Sequence, residues 1–412
     1  MTGHVTELSG LNRDQLLAVA HDYMLSGLIM VKAVTPLVIF HAGLPPEEIP
    51  QLSIEQWMGA SPVYTGRMRS LMGIGGDDVP AIMKALQLDV GFVHQYMDVR
   101  YQVDDPTHGE FWLPHCGALL DVEPFGEQEV FNMCHTIEDP TFDATALATN
   151  PRARIRPIHR PPRIPSDQQP HCRWTLVIDE ANEPVGPISA TEQVMGLALA
   201  SVPNERSGDR ADGSDDYRGP FDPGFKLRHL SSSALLAAAR EFQVQTHLLV
   251  ASNELALAKR MDLDEARKIQ DEGWLSSSWI FAERLARLLD LGDGVEAVAG
   301  VLALTPAIPP GIDRTVEVDS DRIQLVLSTS HEGLLDPSHP GWAGSLGRGV
   351  TTGVEGTARG LGMDVRSVEA GVERGTISVE MALAPAEPNQ VEPDSVMLSR
   401  IGQCASWTFD LT

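Results

Sequence analysis

Apolar residues recur at helical spacing from the start of the chain: Leu16, Val19, Ala20, Tyr23, Met24 and Leu28 fall on one face of a 3.6-residue period. Asn12 followed by Gln15 forms a capping-box signature that opens this helix. Pro36 is expected to kink or end it, and Pro45, Pro46 and Pro50 mark a loop. Asp77 and Asp78 begin a second helix with Val79, Ile82, Met83 and Leu86 as its apolar stripe. Residues 92–103, 110–120 and 173–179 read as strands, the last alternating as RWTLVID.

The pattern breaks at residues 201–224, which are polar and rich in Gly, Pro, Ser and Asp. This composition predicts a flexible linker between an α+β domain over 1–200 and a second part over 225–412. The second part opens with helical periodicity over 231–261, 263–270 and 276–291. It then switches to period two at Val316, Val318, Ile323, Leu325 and Leu327. A glycine-spaced helix over 342–361, strands over 365–372 and 376–383, a loop over 385–393 and a short strand near Trp407 complete it. The expected fold class is α+β, an antiparallel sheet flanked by helices in each part, with a helical segment in the middle. Residues 16–23 echo 235–242, and 88–90 echo 363–365, but the unequal offsets do not support a simple duplication.

Composition narrows the partners. The net charge of -26 argues against nucleic acid or an anionic membrane bound through a general electrostatic footprint. Four cysteines in 412 residues make no disulfide framework, so a reducing, cytoplasmic compartment is expected. The N-terminus has neither the basic nor the apolar region of a signal peptide. The greasy run over 16–40 is broken by His21, Asp22, Lys32 and Pro36, which predicts a buried helix rather than a membrane span. The long apolar helices suit a homo-oligomer, though core packing explains them equally well.

Candidate chemistry concentrates in residues 108–174. Three of the four cysteines fall there, each beside a histidine: His115-Cys116, Cys134-His135 and His171-Cys172. Thiolate and imidazole are preferred zinc and iron donors, so His115, His135, His171 and Glu138 are candidate ligands. No C-x-x-C or H-E-x-x-H spacing supports a metal, however. Alternatively, one cysteine is a nucleophile activated by an imidazole. The bland alternative is that all three are small buried hydrophobes. On a strand, neighbours such as His115 and Cys116 cannot both line one pocket without a bulge.

The run holding Arg154, Arg156, His159 and Arg160 could bind an acidic small substrate or pair internally with Asp and Glu. Glu138, Asp139 and Asp143 could supply a general base or plain turn chemistry. Neither a Walker lysine nor a dinucleotide fingerprint is present.

The order of these features resembles the L-2-amino-thiazoline-4-carboxylic acid hydrolase-like family over roughly residues 70 to 180. The matching pieces are Cys116 after FWLPH, Cys134 in MCHTIED, Asn150-Pro151, and Cys172 in PHCRW. The resemblance implies a hydrolase acting on a carbon–nitrogen bond in a cyclic amidine-like carboxylic acid, with Cys116, Cys134, Asp139 and Cys172 at the matching catalytic positions. Such ring opening needs a thiolate or metal-bound water, an acid for the leaving atom and a cation for the substrate carboxylate. Two other functions fit the same residues: an iron- or zinc-dependent enzyme with redox chemistry, and a non-catalytic ligand- or metal-binding sensor whose second part is an output module.

Overall fold

The computed structural model describes residues 7–206, 212–373, 375–387 and 391–400. The chain is α+β, 51% helix and 18% strand, with two four-stranded antiparallel sheets flanked by helices.

The first unit opens with two long helices, α1 (Arg13–His41) and α2 (Glu48–Met72), then the short α3 (Val79–Leu86). The Asn12–Gln15 capping box forms as expected, and the Asp78 side chain caps α3. Pro36 does not end α1, which runs one more turn past it. Where a proline loop was expected, α2 begins. Pro50 lies in its first turn, where a missing N–H leaves no bond unmade, and the helix continues through Pro62.

A hairpin, β1 (Met97–Asp105) and β2 (His108–Cys116), leads into α4 (Gly117–Val122), α5 (Glu127–Phe131) and α6 (Glu138–Leu147). Strands β3 (Ala153–His159) and β4 (Cys172–Ile178) complete the sheet, and α7 (Ser189–Met195) follows. The strand order is β1-β2-β4-β3.

The second unit repeats this plan. Helices α8 (Ser232–Leu257), α9 (Leu263–Leu289) and α10 (Gly294–Leu304) precede the hairpin β5 (Asp313–Asp319) and β6 (Arg322–Ser328). Helices α11 (Trp342–Gly347) and α12 (Thr352–Gly360) precede β7 (Met363–Glu373) and β8 (Thr376–Pro385), and α13 (Asp394–Arg400) follows. The order β5-β6-β8-β7 is that of the first sheet, so the architecture is a structural repeat. The echo between residues 16–23 and 235–242 is positional, because both open the first helix of their unit. The echo between 88–90 and 363–365 is not, since one follows α3 and the other begins β7. The short strand expected near Trp407 lies outside the described residues.

The expected division at residues 201–224 does not separate two cores. One apolar cluster runs from Leu11 on the N-terminal side to Leu383 in β8, and a smaller one lies under the first sheet. Helices α1 and α2 pack on α8, and α1 also packs on α9. A Cβ on Gly273 would stand 2.6 Å from the Val34 side chain, so α9 approaches α1 at a point only glycine permits. Nearly every residue of α8 is buried, as befits a helix surrounded on all sides. Parts of the expected linker are also anchored: the Asn204 amide donates to the Ala237 carbonyl at 2.9 Å, and the buried Tyr217 bonds Gln87 at 2.8 Å.

Helix α1 is long and apolar enough to cross a membrane by length and composition, and 67% of its most apolar window is buried within the protein. Its charged groups are paired there. Arg284 of α9 binds Asp22 at 2.6 Å, and Lys32 binds Asp121 at 2.5 Å.

Candidate functional site: an apolar cavity

A cavity of about 140 Å³ lies between the first sheet and helices α1, α2 and α6. Its walls are mainly apolar and aromatic, with Phe92, Phe142 and Trp174 contributing the flat surfaces. Trp174 meets Phe142 edge-on at 4.8 Å between ring centroids, and Phe142 lies 5.7 Å from Phe92. A dry cavity of about 150 Å³ holds a benzene ring, which sets the size of a fitting ligand.

Two local irregularities aim side chains into this space. The β1–β2 register slips between Asp98 and Arg100, opposite Trp112 to His115. The slip lets Cys116 join Phe111 and Leu113 in the buried layer, while His115 stays only partly buried. Further on, a π-helical turn (Asn132–Ile137) separates α5 from α6. Such wide turns recur at functional sites because they shift the helix face by one residue. Here Met133 and Ile137 of the turn, and Glu138 just after it, line the cavity.

The polar lining is sparse. Asp89 accepts the Gly91 amide at 2.6 Å and the Tyr64 hydroxyl at 3.1 Å, both through Oδ1. Its other oxygen, Oδ2, and Glu138 Oε2 are buried without hydrogen-bond partners among the described residues. Burial is the leading cause of both acids' shifts. Asp89 is raised to about 6, moderated by Gly91 and Tyr64, and Glu138 to about 8, moderated by Arg160. At neutral pH Glu138 is therefore a neutral acid and Asp89 mainly a carboxylate.

Of the expected catalytic residues, Cys116 and Cys172 line the cavity, and Cys134 is buried nearby. All three thiols are pushed up by burial first and by the Glu138 charge second, Cys116 to about 12. A thiol at that value is almost entirely protonated at neutral pH. Cys116 Sγ instead accepts the Leu119 amide at 3.4 Å and caps α4.

The imidazoles do not join the thiols. His115 and His171 face each other at 6.1 Å between centroids, and burial lowers both, His171 to about 4. His135 stacks on Phe131 at 4.3 Å and bonds the Pro161 carbonyl at 2.7 Å. The proposed ligand set of His115, His135, His171 and Glu138 is thus not gathered. Among the described residues, no three His, Cys, Asp or Glu side chains are grouped to hold a metal ion.

The arginines are turned to internal pairing rather than to a substrate. Arg156 grips Asp143 with two bonds of 2.8 Å, and Arg154 approaches the same carboxylate at 3.9 Å. Arg160 binds Asp139 at 2.6 Å and lies over Trp174, behind the cavity wall. Asp139 is therefore an ion-pair partner, and its neighbour Glu138 is the acid that faces the cavity. His159 bonds Gln168 at 3.5 Å and does not line the cavity.

Sequence reasoning missed Lys32, Tyr64 and Asp89. Lys32 carried a usable signal, being a cation inside an apolar helix, where an unpaired charge is costly. Tyr64 carried none because α2 was masked by its prolines, and Asp89 carried none because it lies in the turn after α3.

Fold and site together define an α+β repeat protein with a small apolar cavity whose wall holds two unpaired carboxyl oxygens. No family model matches the chain, and neither a curated protein nor a solved structure matches it.

Proposed function

We propose that the first unit binds a small, flat, largely apolar molecule that carries hydrogen-bonding groups at its edge. The observation that supports this is the ring-sized cavity with Asp89 Oδ2 and Glu138 Oε2 buried and unpartnered in its wall. An unpaired buried polar atom costs about 1–3 kcal/mol, and a ligand that satisfies both atoms recovers that cost. Asp89 calls for a donor, and the neutral Glu138 acid offers one proton to an acceptor.

The test is calorimetric titration with benzamide, phenol and benzoate. Benzamide, which has both donor and acceptor, should bind tightest, and benzoate weakest. Ala118→Phe, which fills the cavity, should abolish binding. If Ala118→Phe binds as well as the parent chain, the cavity is not the site.

A second reading, hydrolysis of a carbon–nitrogen bond, is favoured by the separation of the two acids to about 6 and about 8. Acids pushed apart in one site suit a base and an acid acting together. In this reading the Asp89 carboxylate takes a proton from water as its oxygen bonds to the sp² carbon. The C–N bond then breaks as Glu138 protonates the departing nitrogen. Loss of turnover in both Asp89→Asn and Glu138→Gln, with Cys116→Ser unaffected, is the expected pattern. Turnover lost only in Cys116→Ser would return the chemistry to the thiol.

A further inference from the structure

Six acids are buried among the described residues: Asp22, Asp89, Asp121, Asp143, Glu241 and Glu254. Five of them meet a cation. Asp22 pairs with Arg284 at 2.6 Å, Asp121 with Lys32 at 2.5 Å, Asp143 with Arg156 at 2.8 Å, Glu241 with Arg67 at 2.7 Å and Glu254 with Arg267 at 3.4 Å. Asp89 is the exception. It is 3% exposed, its Oδ1 accepts the Gly91 amide and the Tyr64 hydroxyl, and no cation pairs with it among the described residues. We propose that the ligand of the cavity supplies the missing charge, as the ammonium head of a small arylmethylamine. The inference rests on the cavity being a ligand site and adds the sign of the ligand's charge.

Three observations carry it. First, a buried carboxylate without a counter-charge is costly, and Asp89 stands in the cavity wall with Oδ2 unpartnered among the described residues. An ammonium there makes a charge-assisted hydrogen bond, stronger than one from a neutral donor. Second, six aromatic rings share the wall: Trp57, Tyr64, Phe92, Tyr96, Phe142 and Trp174. Ring faces attract cations, and they also pack against the aryl group of the ligand. Third, a Cβ on Gly91 would stand 3.1 Å from Asp89 Oδ1 and 3.5 Å from the Trp57 ring. Gly91 thus brings carboxylate and indole close together without a side chain of its own between them. An ammonium joined to a ring matches that pairing.

The rest of the wall does not cancel this charge. Its cation, Lys32, is matched by Asp121, which also accepts the Tyr96 hydroxyl. Burial raises Tyr64, Cys116 and Cys172, so these three side chains are uncharged at neutral pH. Glu138 is raised to about 8, by burial first, and is protonated there too. A protonated carboxyl keeps an oxygen that accepts, so Glu138 does not oppose an ammonium head. Asp89 therefore sets the sign of the cavity, which favours a cation over a neutral ligand of the same shape.

The experiment is calorimetric titration of the full chain at neutral pH with benzylamine, which is protonated there, and with benzyl alcohol, its neutral counterpart in shape. Benzylamine should bind about tenfold or more tighter than benzyl alcohol, and Asp89→Asn should reduce that preference to within about twofold. The variant is decisive, because a chain with a net charge of -26 attracts any cation without a site. Equal affinity of the two probes in the parent chain overturns the charge while leaving the cavity as a ligand site. A preference that survives in Asp89→Asn overturns it as well. Binding of neither probe overturns the inference together with the reading on which it rests. Should Asp89→Asn fail to fold, the Asp89 carboxyl carbon is followed by NMR in the parent chain. Benzylamine, unlike benzyl alcohol, should lower its titration midpoint by about one pH unit or more, and equal midpoints overturn the inference.

Discussion

The two units share a strand order but treat the space beside their sheets differently. In the first, α2 presents Trp57 and Tyr64, and α6 presents Glu138 and Phe142, around an open cavity. In the second, α9 and α12 hold the corresponding places in the order of elements, and Trp274 of α9 meets Trp342 of α11. Both indoles are 1% exposed and stack at 6.1 Å, with His247 of α8 edge-on to Trp342 at 5.3 Å. A Cβ on Gly353 would collide with Trp274, so α12 is seated directly on the ring. The acids differ as well. Glu254 accepts the Gly341 amide at 2.6 Å and pairs with Arg267 at 3.4 Å, whereas Glu138 keeps an unpartnered oxygen. One scaffold thus carries a filled interior whose acid Glu254 is paired and an open one whose acids Asp89 and Glu138 each keep an unpartnered oxygen.

The comparison breaks most clearly at the filled side. Trp342→Ala should cost about 3–5 kcal/mol, read as the shift in denaturant midpoint. A loss below 1 kcal/mol, roughly that of an ordinary surface change, would mean that the second interior is not close-packed.

The open side should reveal itself through pH. The folded-state value of Glu138, about 8, lies above that of the unfolded chain. Its contribution is therefore full below the unfolded value of about 4.3 and is lost as pH rises through about 8. Stability should fall across that window by a few kcal/mol, and Glu138→Gln should flatten the curve. An unchanged slope in the variant would place the titration elsewhere.

A smaller effect is expected where the arginines pair. Asp143 also accepts the Ile155 amide at 3.1 Å, so Asp143→Ala unpairs an amide and the partly exposed Arg156. The expected loss is about 1–2 kcal/mol by thermal melting, with cavity binding retained. Equal loss of binding would tie the pair to the site. Smallest of all, Cys116→Ser should leave binding within about twofold. In a Cys404→Ser background, modification of the three buried thiols at neutral pH should occur no faster than unfolding, as measured by stopped-flow with a thiol reagent.

What the sequence disclosed follows from how local each signal is. The Asn12–Gln15 cap and the alternation over RWTLVID depend on neighbours within a few residues, and both appear in the fold. The Cys/His stretch does contribute to the cavity, but adjacency in sequence implied a shared site that a strand does not provide. The β1–β2 bulge and the π-turn decided which partner faces inward, and neither has a composition of its own. The prolines hid α2 because Pro45, Pro46 and Pro50 together predict a loop. The repeat was legible only as the echo at residues 16–23, since packing conserves the order of elements rather than their spacing.

The pairing of Asp22 with Arg284 spans 262 positions, which places α1 under a constraint of time. At about 5–20 residues per second, roughly 13–50 seconds separate the synthesis of these two partners. For that interval the long apolar helix α1 exists without the completed α9 to cover it. Truncation before α9 would leave Asp22 without Arg284 and the α9-facing side of α1 uncovered.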